Sequence, residues 1–157
     1  MNNNDLDELV SRIAIQDMLA RYAHAIDRRD FAALDDIFLP DAYFDLSSGA
    51  GVAGTWPQIR PHLQHGLTSF VLDFHHFSSI AVTIGEELGT ATSESKVINP
   101  RTRKDDDGGL HREVAFGVYY DRWRRTGQGW RIAERVWQRA WLWSDPTTSK
   151  SDDEPIR

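Results

Sequence analysis

The second half of the chain changes period. From Phe70 onward apolar residues recur at every second position in four long runs, Phe70 to Ile84, Gly89 to Ile98, His111 to Arg124 and Trp130 to Trp143. Alternation of this kind puts successive side chains on opposite faces of a sheet. The runs are joined by GEE, NPRTRKDDDGG and RTGQG, connections rich in turn formers that suit antiparallel neighbours. Upstream the period is helical: Ile15, Leu19, Tyr22, Ala23 and Ile26 form one apolar stripe within Asp5 to Ile26. Helices in a block followed by strands in a block predict an α+β domain. Its mostly antiparallel sheet carries the N-terminal helices on its apolar face, and strong curvature makes that sheet a cone with the helices on the concave side.

Two shorter elements fill the middle. Asp30 is a plausible N-cap for a helix through Phe31, Leu34 and Ile37 that stops near Pro40, and DAYFDL then alternates as a brief strand. After the glycine-rich SSGAGVAG loop, Thr55 can cap a third helix with Pro57 in its first turn and Pro61 inside. Residues 1–143 read as one domain, and the polar SDPTTSKSDDEPIR end, residues 144–157, as a mobile tail.

Composition narrows the function classes. A chain of 157 residues with 40% hydrophobic residues and six tryptophans can bury a sizeable core. A formal charge of -6 and the lack of a dense Lys/Arg run argue against nucleic acid. Without cysteine there is no disulfide, thiolate nucleophile or thiolate-bound metal. No apolar run approaches the roughly 18 residues of a membrane span, so a cytoplasmic, soluble protein is expected. GAGVAG matches G-x-G-x-x-G formally, but the βαβ context of a dinucleotide site is missing. His62 and His65 stand three apart, yet adjacent strand histidines diverge, so no metal site is expected.

The stretch LDFHHFSSI holds two adjacent histidines in a strand, only one of which can face the interior. His76 alternates with Phe74, Ile80 and Val82, whereas His75 shares its parity with Asp73, Phe77 and Ser79. By that apolar company His76 is expected inside, and His75 on the opposite face in a subunit contact.

The order of RYAHAIDRRDFAALDDIFLPDAYFD, the histidine strand and VYYDRWRRTGQGWRIAERV resembles, over Leu6 to Trp143, the SnoaL-like branch of the nuclear transport factor 2-like superfamily. The resemblance implies an α+β cone, assembled as a dimer or trimer, with a pocket between the helices and the concave sheet. At Tyr22, Asp27 and His76 the chain is similar to bile acid 7α-dehydratase, and at Asp27 and His76 to scytalone dehydratase and hexachlorocyclohexane dehydrochlorinase. This implies a cofactor-independent lyase or isomerase acting on a hydrophobic, polycyclic or steroid-like small molecule. His76 would be the base, Asp27 would fix its tautomer, and Tyr22 would steady charge on a substrate oxygen. No cofactor or metal is implied. ESKVINPRTRK lacks the second catalytic histidine of scytalone dehydratase, and Asn99 is the nearest polar substitute. His24, one helical turn before Asp27, is a further candidate for acid assistance.

Trp137, Trp141 and Trp143 share a parity with Arg135 and Arg139 on the last strand, as a subunit interface or a pocket wall would require. The rival reading of the whole chain is a non-catalytic ligand-binding or oligomerisation module on the same fold. A third is a structural subunit resembling the small subunit of aromatic-ring dioxygenases.

Overall fold

The computed structural model describes residues 3–87, 89–104 and 108–145. Helix α1 (Asn3–Arg28) is followed by α2 (Phe31–Asp35), strand β1 (Phe38–Asp45), a single turn α3 (Ser47–Ala50), β2 (Ala53–Thr55) and α4 (Trp56–Gly66). Strands β3 (Phe70–Asp73), β4 (His76–Ile84), β5 (Thr90–Lys104), β6 (Leu110–Thr126) and β7 (Gly129–Asp145) complete the chain. They form one seven-stranded sheet in the order β2-β1-β7-β6-β5-β3, with β4 also on β5. Only the β1–β7 pairing is parallel among the described strands. The fold is the expected α+β cone. The last strand takes in Ser144 and Asp145, and the remainder of the expected tail lies outside the described residues.

Two prolines fall inside strands, not at their ends. Pro40 lies within β1, where pairing to β7 shifts between Phe38 and Tyr43. The second helix therefore stops at Asp35, five residues before that proline. Pro100 lies in β5, which runs on to Lys104 instead of ending at Ile98. Its carbonyl accepts from the Phe74 N–H, but it has no N–H to return. The ladder is interrupted there, and the edge of the sheet divides into β3 and β4 with Phe74 and His75 between them.

Helix α1 ends against that interruption. Arg29 adopts φ 57, the left-handed conformation that normally falls to glycine. Asp30 N–H reaches the Ala25 carbonyl and Arg29 N–H the Ile26 carbonyl, which satisfies the last turn. The Arg29 guanidinium also donates to the Phe70 carbonyl at the start of β3. The core between α1 and the sheet holds Ile15, Leu19, Tyr22 and Ile26 from the predicted stripe, with Phe38, Phe44, Trp56, Val97 and Ile132. Each large side chain fully buried there contributes roughly 1.5–3 kcal/mol.

Candidate active site

A cavity of ≈ 370 Å³ opens between the end of α1, helix α4 and the concave face of β5, β6 and β7. Odd-numbered residues of β5 and β6 look into it, among them Val97, Asn99, Arg101, Glu113, Ala115 and Tyr119. From β7 come Trp137, Arg139 and Leu142. Trp137 sits in a slot that two glycines leave open, since a Cβ at Gly49 or at Gly117 would collide with its indole.

Two histidines line this cavity, His62 from α4 and His75, and His75 is the one that lies against a carboxylate. Its Nδ1 lies 2.8 Å from Asp27 Oδ1, and its backbone N–H donates to both Asp27 oxygens at 3.1 and 3.2 Å. The side chains are 9% and 18% exposed, so the contact is well shielded from solvent. At this interrupted edge the Phe74 N–H points to β5, which turns the His75 N–H outward, where the end of α1 supplies an acceptor. A carboxylate in the last turn of a helix opposes the helix dipole. Two hydrogen bonds from one residue offset that cost. With Nδ1 engaged by Asp27, Nε2 is the nitrogen left for the cavity.

The placement of His76 is a correction. It is exposed on the outer face, where it pairs with Ile98, and it does not meet Asp27. The phase is reversed by a β-bulge between Ser78 and Ala81, where Ser79 takes φ 48. Before the bulge the odd residues Asp73, His75 and Phe77 face inward, and after it the even residues Ile80, Val82 and Ile84 do. Counting parity across the bulge assigns His76 to the wrong side. A second bulge, at Ala140 between the pairs Gly117–Arg139 and Phe116–Trp141, splits the expected tryptophan row. Trp137 is buried at the cavity, while Trp141 and Trp143 stand on the outer face, 57% and 43% exposed.

Tyr22 is buried and lines the cavity. It packs edge-on against His75 with centroids 6.1 Å apart. Beside it is Tyr119, which the sequence reading passed over, stacked on Phe77 and tilted against Trp137. Burial raises the Tyr22 phenol above its ordinary value, with the Arg135 charge opposing, and burial holds Tyr119 well above. Both phenols therefore stay protonated at neutral pH, and they hydrogen-bond each other.

Behind the two rings lies Arg135, fully buried and joined to Asp121 by bonds of 2.7 and 2.8 Å. Its guanidinium carbon is 4.0 Å from the Tyr22 centroid and 4.4 Å from that of Tyr119. Burial works against this charge, but Asp121 outweighs it and the guanidinium stays protonated. Its Nη1 has no hydrogen-bond partner, and the two ring faces stand in for one.

Asn99 stands opposite the interrupted edge, where its Nδ2 donates to Asp73 Oδ1 at 2.7 Å and to the Phe74 carbonyl at 3.0 Å. His24 is not at this site. It lines a shallower groove on the other side of α1, with Arg21, Arg28 and Arg131. The signal that could have found Asp73 and Tyr119 is polar residues sharing parity with buried ones, Asp73 with His75 and Tyr119 with Ala115 and Asp121.

A curved sheet closed by helices over a pocket, with a histidine–carboxylate pair at its edge, defines a class of small α+β cones with a cavity between helix and sheet. The chain belongs to the SnoaL-like domain family of the nuclear transport factor 2-like superfamily, whose model matches residues 7–136. It is 36% identical over 131 residues to the uncharacterized protein Rv2910c of Mycobacterium tuberculosis, covering 82% of this chain and 85% of that one. A crystal structure of a candidate aromatic ring hydroxylase from Novosphingobium aromaticivorans superposes with a TM-score of 0.75 at 30% identity, covering 87% of this chain and 94% of the other. Hexachlorocyclohexane dehydrochlorinase type 3 from Novosphingobium barchaimii superposes with a TM-score of 0.76 at 17% identity, over 97% and 99% of the two chains. That last likeness is one of fold.

Proposed function

We propose that the cavity is the active site of a cofactor-independent lyase or isomerase of the dehydratase type, with His75 as base. The observation that carries this reading is the contact between His75 Nδ1 and Asp27, which leaves Nε2 for a ligand. Neutral imidazole accepts a proton readily near neutral pH, and Asp27 stabilises the imidazolium that results. In an elimination Nε2 takes a proton from carbon, the C–H pair becomes the new double bond, and the leaving group departs from the neighbouring carbon. A departing hydroxyl takes that proton back from the imidazolium and leaves as water, which restores His75. Tyr22 and Tyr119 hydrogen-bond each other, which leaves one phenolic O–H of the pair as the donor for charge building on an adjacent carbonyl oxygen, and the buried Arg135 adds positive charge behind them.

The apolar and aromatic lining, with Phe70, Tyr119, Trp137 and Leu142, suits a hydrophobic ring compound. The fold of a dehydrochlorinase, an eliminating enzyme by name, is compatible with this chemistry and carries none of the argument for particular residues.

The test is turnover of hydroxylated polycyclic compounds by wild type and by three folded variants. His75→Ala and Asp27→Asn are expected to lose about 10²–10⁴ in rate, and His76→Ala to keep it. Wild-type turnover in His75→Ala sinks the mechanism. Ligand binding that survives both dyad variants, with no product on long incubation, leaves the non-catalytic binding module as the account.

A further inference from the structure

Asp73 closes β3 two residues before His75 and lines the same cavity. Its side chain is only 6% exposed. A carboxylate has two oxygens to satisfy. Oδ1 accepts from Asn99 Nδ2 at 2.7 Å and lies 4.0 Å from His75 Nδ1. Oδ2 has no partner among the described residues and keeps some accessible surface, in a residue that lines the cavity. The residue directly opposite on β5 is Arg101, the obvious counter-ion. Its guanidinium turns instead to Glu113 and lies over the Phe70 ring, 5.0 Å from the centroid. In a side chain this enclosed, an accessible carboxylate oxygen without a protein donor is open to a hydrogen-bond donor brought by the cavity's occupant.

The charge around the cavity decides which donor. Arg101, Arg103 and Arg139 line it, offset in part by Glu113 beside Arg101 and by Asp73 itself, and these guanidinium groups disfavour a cationic donor relative to a neutral one. We infer that Asp73 is a specificity residue whose Oδ2 accepts a hydrogen bond from a hydroxyl on an otherwise apolar ligand, beside the Nε2 of His75. This rests on the cavity being the ligand site and extends that reading to one named subsite. Asn99 holds the carboxylate in place from behind by occupying Oδ1.

The probes are 2-naphthol and 2-methoxynaphthalene, which share a ring system and differ in the O–H. Their affinities are measured calorimetrically for wild type, Asp73→Ala, Asp73→Asn and His75→Gln. Wild type is expected to prefer the naphthol about tenfold, the effect of one hydrogen bond to a charged group. Asp73→Ala abolishes the preference and keeps the affinity for the methyl ether. Asp73→Asn retains part of it, because an amide oxygen still accepts, and His75→Gln retains it fully. Equal affinities in wild type, absence of binding included, overturn the inference, as does a preference that survives in Asp73→Ala. If Asp73→Ala does not fold, Asp73→Asn decides: a preference reduced at least threefold supports the subsite and an unchanged one overturns it. The readout needs no turnover, so an inactive protein with an Asp73-dependent preference would sink the elimination and leave the subsite standing.

Discussion

Asp27 accepts hydrogen bonds from both the backbone N–H and the ring Nδ1 of His75. One carboxylate thereby fixes the position of a residue and the orientation of its side chain together. The arrangement depends on a fault in the sheet, because Pro100 interrupts the ladder beside His75 and an edge N–H is free to leave the sheet plane for α1. Helix end and strand edge are held together a second time by Arg29 on the Phe70 carbonyl.

The bulge that sets the phase of β4 is held at a conformational cost. Ser79 has φ 48, is exposed, and makes no side-chain hydrogen bond among the described residues. Glycine adopts that conformation without the Cβ penalty, although it gives back some stability through the unfolded chain. Ser79→Gly is therefore expected to stabilise the protein by about 1 kcal/mol in urea unfolding. Destabilisation would show that the serine side chain contributes to the bulge.

The sheet, the helix order and the stripe of α1 were legible because each rests on a period, and periods survive in sequence. Tyr22 and Asp27 were legible for the same reason, as positions on a continuous helix. His75 was not, because a bulge adds one residue and exchanges inside for outside while leaving the alternation intact on either side of it. The same arithmetic failed at Ala140, where Trp137 parts from Trp141. Asp73 and Tyr119 escaped notice because a polar residue at an inward position looks like an error in the pattern until a cavity is seen beside it.

Burial of Tyr22 and Tyr119 makes a prediction for alkaline pH. Both phenols titrate above the value of 10.0 that they hold when exposed, so the unfolded chain ionises first as pH rises. Their contribution to stability is complete below pH ~10 and is lost as pH climbs through the folded-state values. Urea midpoints between pH 8 and about 11 should fall more steeply in wild type than in Tyr22→Phe/Tyr119→Phe. Parallel curves would contradict the assignment.

The outer face of the sheet carries a row that runs across four strands: His76, Ile98, Phe116 and Trp141 are successive cross-strand partners. Trp141 stacks on Phe116 with centroids 5.3 Å apart and is left 57% exposed, with Ile98 38% exposed. An apolar patch of this kind suits a second copy of the chain, and His76 takes the outward role first expected of His75. Light scattering of the purified protein should give a dimer or trimer, and Ile98→Lys/Trp141→Lys a monomer with an unchanged circular dichroism spectrum. A monomeric wild type would remove the interface.

The central claim is that His75, and not His76, is the histidine paired with Asp27. Ring-nitrogen NMR of wild type and Asp27→Asn at a single pH tests it most directly. The expected result is a His75 Nδ1–H signal displaced by its hydrogen bond to a carboxylate, a displacement that is lost in Asp27→Asn while the His76 ring signals are unmoved. His75 ring signals indifferent to Asp27→Asn, or a change at His76 in their place, would contradict the account.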